Sequence, residues 1–135
     1  MTFDHPVERV FDFLADVRNE RRWNPDARSI EKLDAGPVGP GSTFRGEFTG
    51  IGAMTIRVTG YERPRRLAIS GEASRLAMDA TYELSGDHRA TSVTMEAQVR
   101  PRGLLRAMGP VVEAVTRRQL EERPEQLRRA LAAPD

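Results

Sequence analysis

Residues 4–25, DHPVERVFDFLADVRNERRWNP, decide how the rest of the chain is read. Val7, Val10, Phe11 and Leu14 stand at i, i+3, i+4 and i+7, so they share one face of a short amphipathic helix. Pro6 suits the first turn of that helix, where a missing N–H is no loss and φ is already helical. Asp16 then caps a second short turn over residues 17–22, its carboxylate accepting exposed backbone N–H groups. Trp23-Asn24-Pro25 ends it, because the residue before a proline is pushed out of the helical region.

Working outward, residues 29–34 are predicted as a strand with Ile30 and Leu33 as its apolar members. GPVGPGSTF, residues 36–44, is a turn-rich stretch leading into the next strand. Its glycines do not make a phosphate loop: no lysine follows the last of them, and a strand pattern begins where a helix should open. From 42 to 100 the chain alternates apolar and polar with period two, broken by turn signals at 50–52, 63–65, 73–75 and 86–89. That spacing predicts a meander of five strands near 42–49, 53–62, 66–73, 77–85 and 90–100. No period-two segment alternates with helices, which disfavours a parallel sheet. After Pro101 the period turns helical, with Leu104, Met108, Val111 or Val112, Val115 and Leu120 as a drifting apolar stripe. Pro110 is expected to open the long helix and Pro124 to kink or restart it, with Leu127 and Leu131 on the buried side.

These elements, in this order, resemble the START/Bet v 1-like (SRPBCC) superfamily, in its polyketide cyclase/dehydrase-like branch. The resemblance is carried by PVERVFDFLADVRNERRWNP, by GPVGPGSTF and by RPRGLLRAMGPVVEAVTRRQLEERPEQLRRAL, and so spans essentially the whole chain. It implies a single domain over residues 1–135, of α+β class. The expected architecture is a helix-grip fold: a curved antiparallel sheet of about six strands wrapped around a long C-terminal helix, with two short helices after the N-terminus. Two features depart from the family pattern. The first strand, which normally precedes the first helix, is truncated to a stub over residues 1–3, and Pro124 interrupts the terminal helix.

Composition narrows the function classes. At 135 residues, one domain burying roughly two thirds of its unfolded surface is expected. A formal charge of +1 removes the main electrostatic argument for nucleic acid. Lys32 is the only lysine, and the other 20 of the 21 basic residues are arginine, a bias that records genome composition more readily than anion binding. No apolar run approaches the roughly 18–20 residues of a membrane span, so no stable membrane insertion is expected. Without cysteine, disulfides and thiolate metal sites are excluded. The absence of a signal-peptide pattern makes the expected location cytoplasmic.

Strand alternation sorts the sheet into two faces. Phe44, Phe48, Met54, Ile56, Val58, Leu67, Ile69, Met78, Ala80, Tyr82, Leu84, Val93, Met95, Ala97 and Val99 fall on one. Arg45, Glu47, Thr55, Arg57, Glu72, Asp79, Thr81, Glu83, Thr94, Glu96 and Arg100 fall on the other. Burying the charged set is prohibitive, so the apolar face turns toward the helix. The expected cavity is lined by Trp23, Phe44, Phe48, Met54, Ile56, Ile69, Met78, Tyr82 and Met95, with Met108, Val112 and Val115 from the terminal helix. Trp23 is expected beneath the glycine-rich loop, beside Phe44, at the cavity entrance.

Chemistry is thin by comparison. His5 and His88 lack metal-ligand spacing, Asp79 and Glu83 sit on the charged outer face, and no nucleophile elbow occurs, so no catalytic residue, metal or cofactor is assigned. The expected function is binding or transport of an apolar small molecule (a lipid, a quinone or a polyketide-like ring system) between sheet and helix. The resemblance also implies two alternatives, a cyclase/dehydratase-like enzyme and a protein-interaction module. An enzyme needs a proton-transfer group in the cavity; Tyr82 is the candidate, with Arg45 or Glu47 if a bulge turns their strand. The short first strand leaves the edge of strand 90–100 to be satisfied by a homodimer, by a covering loop, or by residues upstream of Met1, the last slightly favoured.

Overall fold

Alternating side chains build the sheet directly. In a computed structural model that describes residues 1–102 and 125–132, one antiparallel sheet holds seven strands. They are β1 (Thr2–Phe3), β2 (Ala27–Lys32), β3 (Thr43–Phe48), β4 (Gly52–Glu62), β5 (Arg66–Ala73), β6 (Leu76–Gly86) and β7 (Thr91–Pro101). The spatial order β1-β7-β6-β5-β4-β3-β2 makes β2 to β7 a plain meander, with β1 added beside its last strand. Between β1 and β2 in sequence come helix α1 (Val7–Ala15) and a 3-10 turn (Val17–Arg22). The expected α+β helix-grip class is the observed one, with seven strands in place of about six. The apolar stripe from Leu104 to Leu120 and the proline effects at Pro110 and Pro124 lie outside the described residues.

The two faces separate as the alternation requires. Phe44, Met54, Ile56, Val58, Leu67, Tyr82, Leu84 and Val93 are buried, while Arg45, Glu47, Arg57, Glu72, Glu83, Glu96 and Arg100 are exposed. Asp79 on β6 pairs with Arg100 on β7 across the outer face. A bulge between Val58 and Gly60 breaks the alternation in β4. The extra residue turns Tyr61 inward, where its ring meets Phe11 of α1 edge-on at 5.1 Å between centroids.

The strand expected over 29–34 starts two residues earlier and stops at Lys32, and Leu33 is 51% exposed. Asp34 is the cause. The Leu33 N–H still donates to Thr43 O at 2.8 Å, but the Asp34 carboxylate takes the Thr43 N–H at 2.7 Å and the Lys32 ammonium at 2.7 Å, so the ladder ends there.

Helix α1 buries Val7, Val10, Phe11, Phe13, Leu14 and Ala15. Pro6 precedes its first turn as the N-cap, and its carbonyl accepts the Val10 N–H at 3.1 Å. The Val7 N–H donates to Asp87 O at 3.0 Å, and the Thr91 hydroxyl to His5 O at 2.8 Å, so the β6–β7 hairpin holds the helix start. Arg63, beyond β4, grips Asp12 with two parallel bonds of 2.8 and 2.9 Å. At the other end the Asn19 amide donates to Phe13 O, satisfying a carbonyl the helix leaves open. Asp16 accepts the Arg18 N–H and opens the 3-10 turn as expected.

Residues 125–132 are helical, with Leu127, Ala130 and Leu131 buried. Arg9 of α1 and Arg22 of the 3-10 turn donate to Leu131 O and Ala130 O at 2.9 and 3.1 Å. Both reach carbonyls in the last described turn of this helix. Arg128 reaches back to Thr2 O at 3.1 Å and lies over the Phe3 ring. No helix of the described residues is long and apolar enough to cross a membrane.

Candidate functional site

Among the described residues, the inner face of the meander looks toward α1 and the 3-10 turn, and a cavity lies between them. Its floor is Met54 and Ile56 of β4, Ile69 and Gly71 of β5, Leu76, Met78, Ala80 and Tyr82 of β6, and Met95, Ala97 and Val99 of β7. Phe48 and Ile51 close one side from the β3–β4 hairpin, and Phe13, Leu14, Val17 and Trp23 cover it from above. Each floor residue is there because its strand position puts it on the inner face.

Gly71 has a particular place in this floor. A Cβ built on it would stand 2.8 Å from Met54 Sδ and 3.1 Å from Met78 Cγ. Those distances are shorter than ordinary contact, so the two methionines lie where a side chain would otherwise be. Methionine chains are unbranched and flexible, and the floor beside Gly71 is therefore adaptable.

Polar groups gather along the 3-10 turn and the segment that leads into β2: Asp16, Glu20, Asn24 and Asp26. Asn24 is buried, and its amide donates to Glu20 Oε1 at 3.2 Å while its Oδ1 accepts the Asp26 N–H at 3.0 Å. The Trp23 and Asn24 N–H groups both donate to Glu20 O, at 3.1 and 2.8 Å, which fixes the tryptophan after the turn. Arg18, held above its ordinary range by the Asp16 carboxylate, stays a cation beside that rim. Tyr82 is the one hydroxyl-bearing side chain of the floor.

Of the sequence-predicted lining, Trp23, Phe48, Met54, Ile56, Ile69, Met78, Tyr82 and Met95 meet at this one space. Phe44 does not. It is fully buried near the opposite end of β3 from Phe48, where the Gly41 N–H binds Val58 O and the glycine-rich loop folds against β4. The loop therefore does not cover Trp23, and the entrance expected there is not at that end of the sheet. Met108, Val112 and Val115 lie outside the described residues. Arg45 and Glu47 are exposed on the outer face, because the bulges in β2 and β4 leave β3 in register with β4. Sequence reasoning missed Val17, Glu20, Asn24, Asp26, Ile51 and Gly71. The sole signal for the polar three was their position around Trp23. Among the described residues, no cluster of metal-ligating side chains occurs.

Comparison with known proteins agrees with this fold. The profile of a family described as polyketide cyclase / dehydrase and lipid transport matches residues 1–132. Similar solved structures include the Zhui aromatase/cyclase from Streptomyces sp. R1128, at TM-score 0.71 and 19% identity over 97% of this chain and 87% of that one. A START superfamily protein from Mycobacterium smegmatis superposes at TM-score 0.75 and 13% identity, over 97% and 92% of the two chains. A conserved protein from Geobacillus kaustophilus gives TM-score 0.73 and 15% identity, over 98% and 91%. Likeness at these identities is likeness of fold. No curated protein sequence matches the chain significantly.

Proposed function

The chain belongs to the polyketide cyclase/dehydrase and lipid transport family, and from that premise we propose that it binds an apolar small molecule, of lipid, quinone or polyketide-like class, in the cavity over β4–β7. One observation carries the reading. The floor drawn from four strands is apolar throughout except for the Tyr82 hydroxyl, while the polar groups sit together on the 3-10 side. Such a site takes an apolar body and leaves one end of it in contact with hydrogen-bonding groups, the usual division of labour in a ligand pocket.

Native mass spectrometry of the protein purified from its own host is the test, followed by titration of ligand-free protein with lipid, quinone and polycyclic probes. Binding should change the emission of Trp23, the only tryptophan, which lines the cavity. If no apolar mass co-purifies and none of the three probe classes binds, the reading is wrong.

A second reading is favoured by the same lining. Tyr82, Glu20 and Asp26 are groups able to transfer protons, and all three border the space that would hold the ligand, as a cyclase or dehydratase requires. Tyr82→Phe and Glu20→Gln separate the two. Turnover lost with binding retained supports the enzyme, whereas turnover unchanged in both variants removes these residues as its acid and base.

A further inference from the structure

Asn24 holds more hydrogen-bonding capacity than the protein around it uses. The residue is 6% exposed and borders the cavity. Its backbone is fully engaged: the N–H donates to Glu20 O at 2.8 Å, and the carbonyl accepts the Ala27 N–H at 3.2 Å. In the side chain, Oδ1 accepts the Asp26 N–H at 3.0 Å, an Asx turn around Pro25. Nδ2 donates to Glu20 Oε1 at 3.2 Å. Those two contacts fix which end of the amide is oxygen and which is nitrogen. An amide nitrogen carries two hydrogens, and only one of them is used here. Among the described residues, nothing accepts the second. A buried donor rarely goes without an acceptor, because its lost hydration is then left uncompensated. The cavity is the space beside Asn24 in which an acceptor can stand.

We propose that Asn24 is a ligand-binding residue, donating its second amide hydrogen to a neutral oxygen of the bound molecule. The proposal rests on the reading of the cavity as an apolar ligand site, and it names the polar feature of that ligand: a ketone, quinone or ester oxygen on an otherwise apolar body. One hydrogen offers one bond, which suits a carbonyl oxygen. A carboxylate brought to the same nitrogen would stand beside the Glu20 carboxylate, like charge against like. The residue is also built to set orientation. It is held at four points, all within residues 20–27, so the remaining hydrogen has a fixed direction and little further ordering is needed when a ligand arrives. The oxygen-bearing end of the ligand then lies on the 3-10 side, and its apolar body lies over the floor of β4 to β7.

Fluorene and fluorenone test this, because they share one fused-ring skeleton and differ by a methylene against a carbonyl. Both are titrated into ligand-free protein by displacement of a fluorescent apolar probe. Asn24→Asp keeps the oxygen that accepts the Asp26 N–H and has no amide hydrogen. The affinity ratio of fluorenone to fluorene should be roughly three- to tenfold higher in the wild type than in Asn24→Asp, the worth of one neutral hydrogen bond. Each ratio is taken within one protein, so a general loss from a shifted turn cancels. Should the single variant fold poorly, the double variant Glu20→Gln, Asn24→Asp lets the new amide donate to the new carboxylate, and its ratio should be lowered in the same way. In proton–nitrogen correlation spectra of the wild type, one of the two Asn24 amide protons should shift with fluorenone and not with fluorene. A ratio that is the same in the wild type and both variants overturns the proposal and leaves the apolar site standing. Tighter binding of fluorene carboxylate than of fluorenone by the wild type overturns the neutral oxygen. If neither fluorene nor fluorenone binds, and lipid and quinone probes do not bind either, the ligand site itself is refuted, and the role of Asn24 in it with it.

Discussion

Replacing Gly71 by alanine puts a methyl group into the one part of the cavity floor where two methionines occupy the missing side chain's place. The new Cβ would meet Met54 Sδ at 2.8 Å and Met78 Cγ at 3.1 Å. Ordinary contact begins near 3.5 Å, so the sulfur must retreat by roughly 0.7 Å or more. The sheet lies on one side and the cavity on the other, so the retreat goes into the cavity. Overpacking of this kind costs about 1–3 kcal/mol. Alanine recovers roughly 0.5–1 kcal/mol over glycine within a strand. The net loss is about 0–2.5 kcal/mol, a fall in Tm of up to roughly 10 °C for a domain of this size.

Ligand binding should suffer more clearly. An apolar ligand that has to withdraw about two methylene groups from the floor forfeits roughly 1.6 kcal/mol, somewhat more than a tenfold loss of affinity. Thermal unfolding followed by circular dichroism gives the first quantity. Titration with an apolar fluorescent probe, read through Trp23, gives the second. Unchanged probe affinity together with an unchanged Tm would refute the reasoning, because the methyl group would then fit without narrowing the floor.

Gly86→Ala should behave quite differently, because its Cβ would stand 2.2 Å from Ala90 O and 2.8 Å from Thr91 Cα, both backbone atoms that cannot step aside. The β6–β7 hairpin must open, and a loss above about 3 kcal/mol is expected in urea unfolding; a wild-type midpoint would count against this geometry. The acid limb of stability should depend on three surface carboxylates. The Lys32 ammonium, then the Thr43 N–H, hold Asp34 below its ordinary range; the Arg100 guanidinium does so for Asp79, and the Arg89 and Ala90 N–H groups for Asp87. A carboxylate depressed in the folded state contributes stability above its unfolded pKa, near 3.9, and loses it as pH falls through the folded value. Stability should therefore be level down to about pH 5 and fall below about pH 4. The triple variant Asp34→Asn, Asp79→Asn, Asp87→Asn should fall less steeply, by a small margin for exposed groups; identical acid limbs would show that other carboxylates govern it.

Much of the fold was legible in local pattern. Helix α1, the 3-10 turn after Asp16 and the strands from β3 to β7 follow from periods of 3.6 and 2 interrupted by turn residues, because those periods are set by backbone geometry alone. The inner face was legible for the same reason, since exposing Ile56 and burying Arg57 instead would cost far more than any rearrangement offers. The exceptions are places where the pattern is broken by one residue. Tyr61, outside by strict alternation from Met54, Ile56 and Val58, is inside because of the bulge before Gly60. β2 ends before Leu33 because an aspartate one residue later takes the Thr43 N–H that would have continued the ladder.

The site divides along the same line. From sequence alone came an apolar lining on the sheet and the importance of Trp23, both consequences of residue type at a known period. Only the tertiary structure decided that Phe48 borders the cavity while Phe44, four residues earlier on the same face, is plain core. Only it brought Glu20, Asn24 and Asp26 to the rim and set Gly71 between two methionines. These meetings join segments far apart in the chain, through the docking of a six-residue 3-10 turn beside β2 and the lateral register of β4, β5 and β6. Contact across strands depends on register and bend, summed over every residue between, and no local period records that sum.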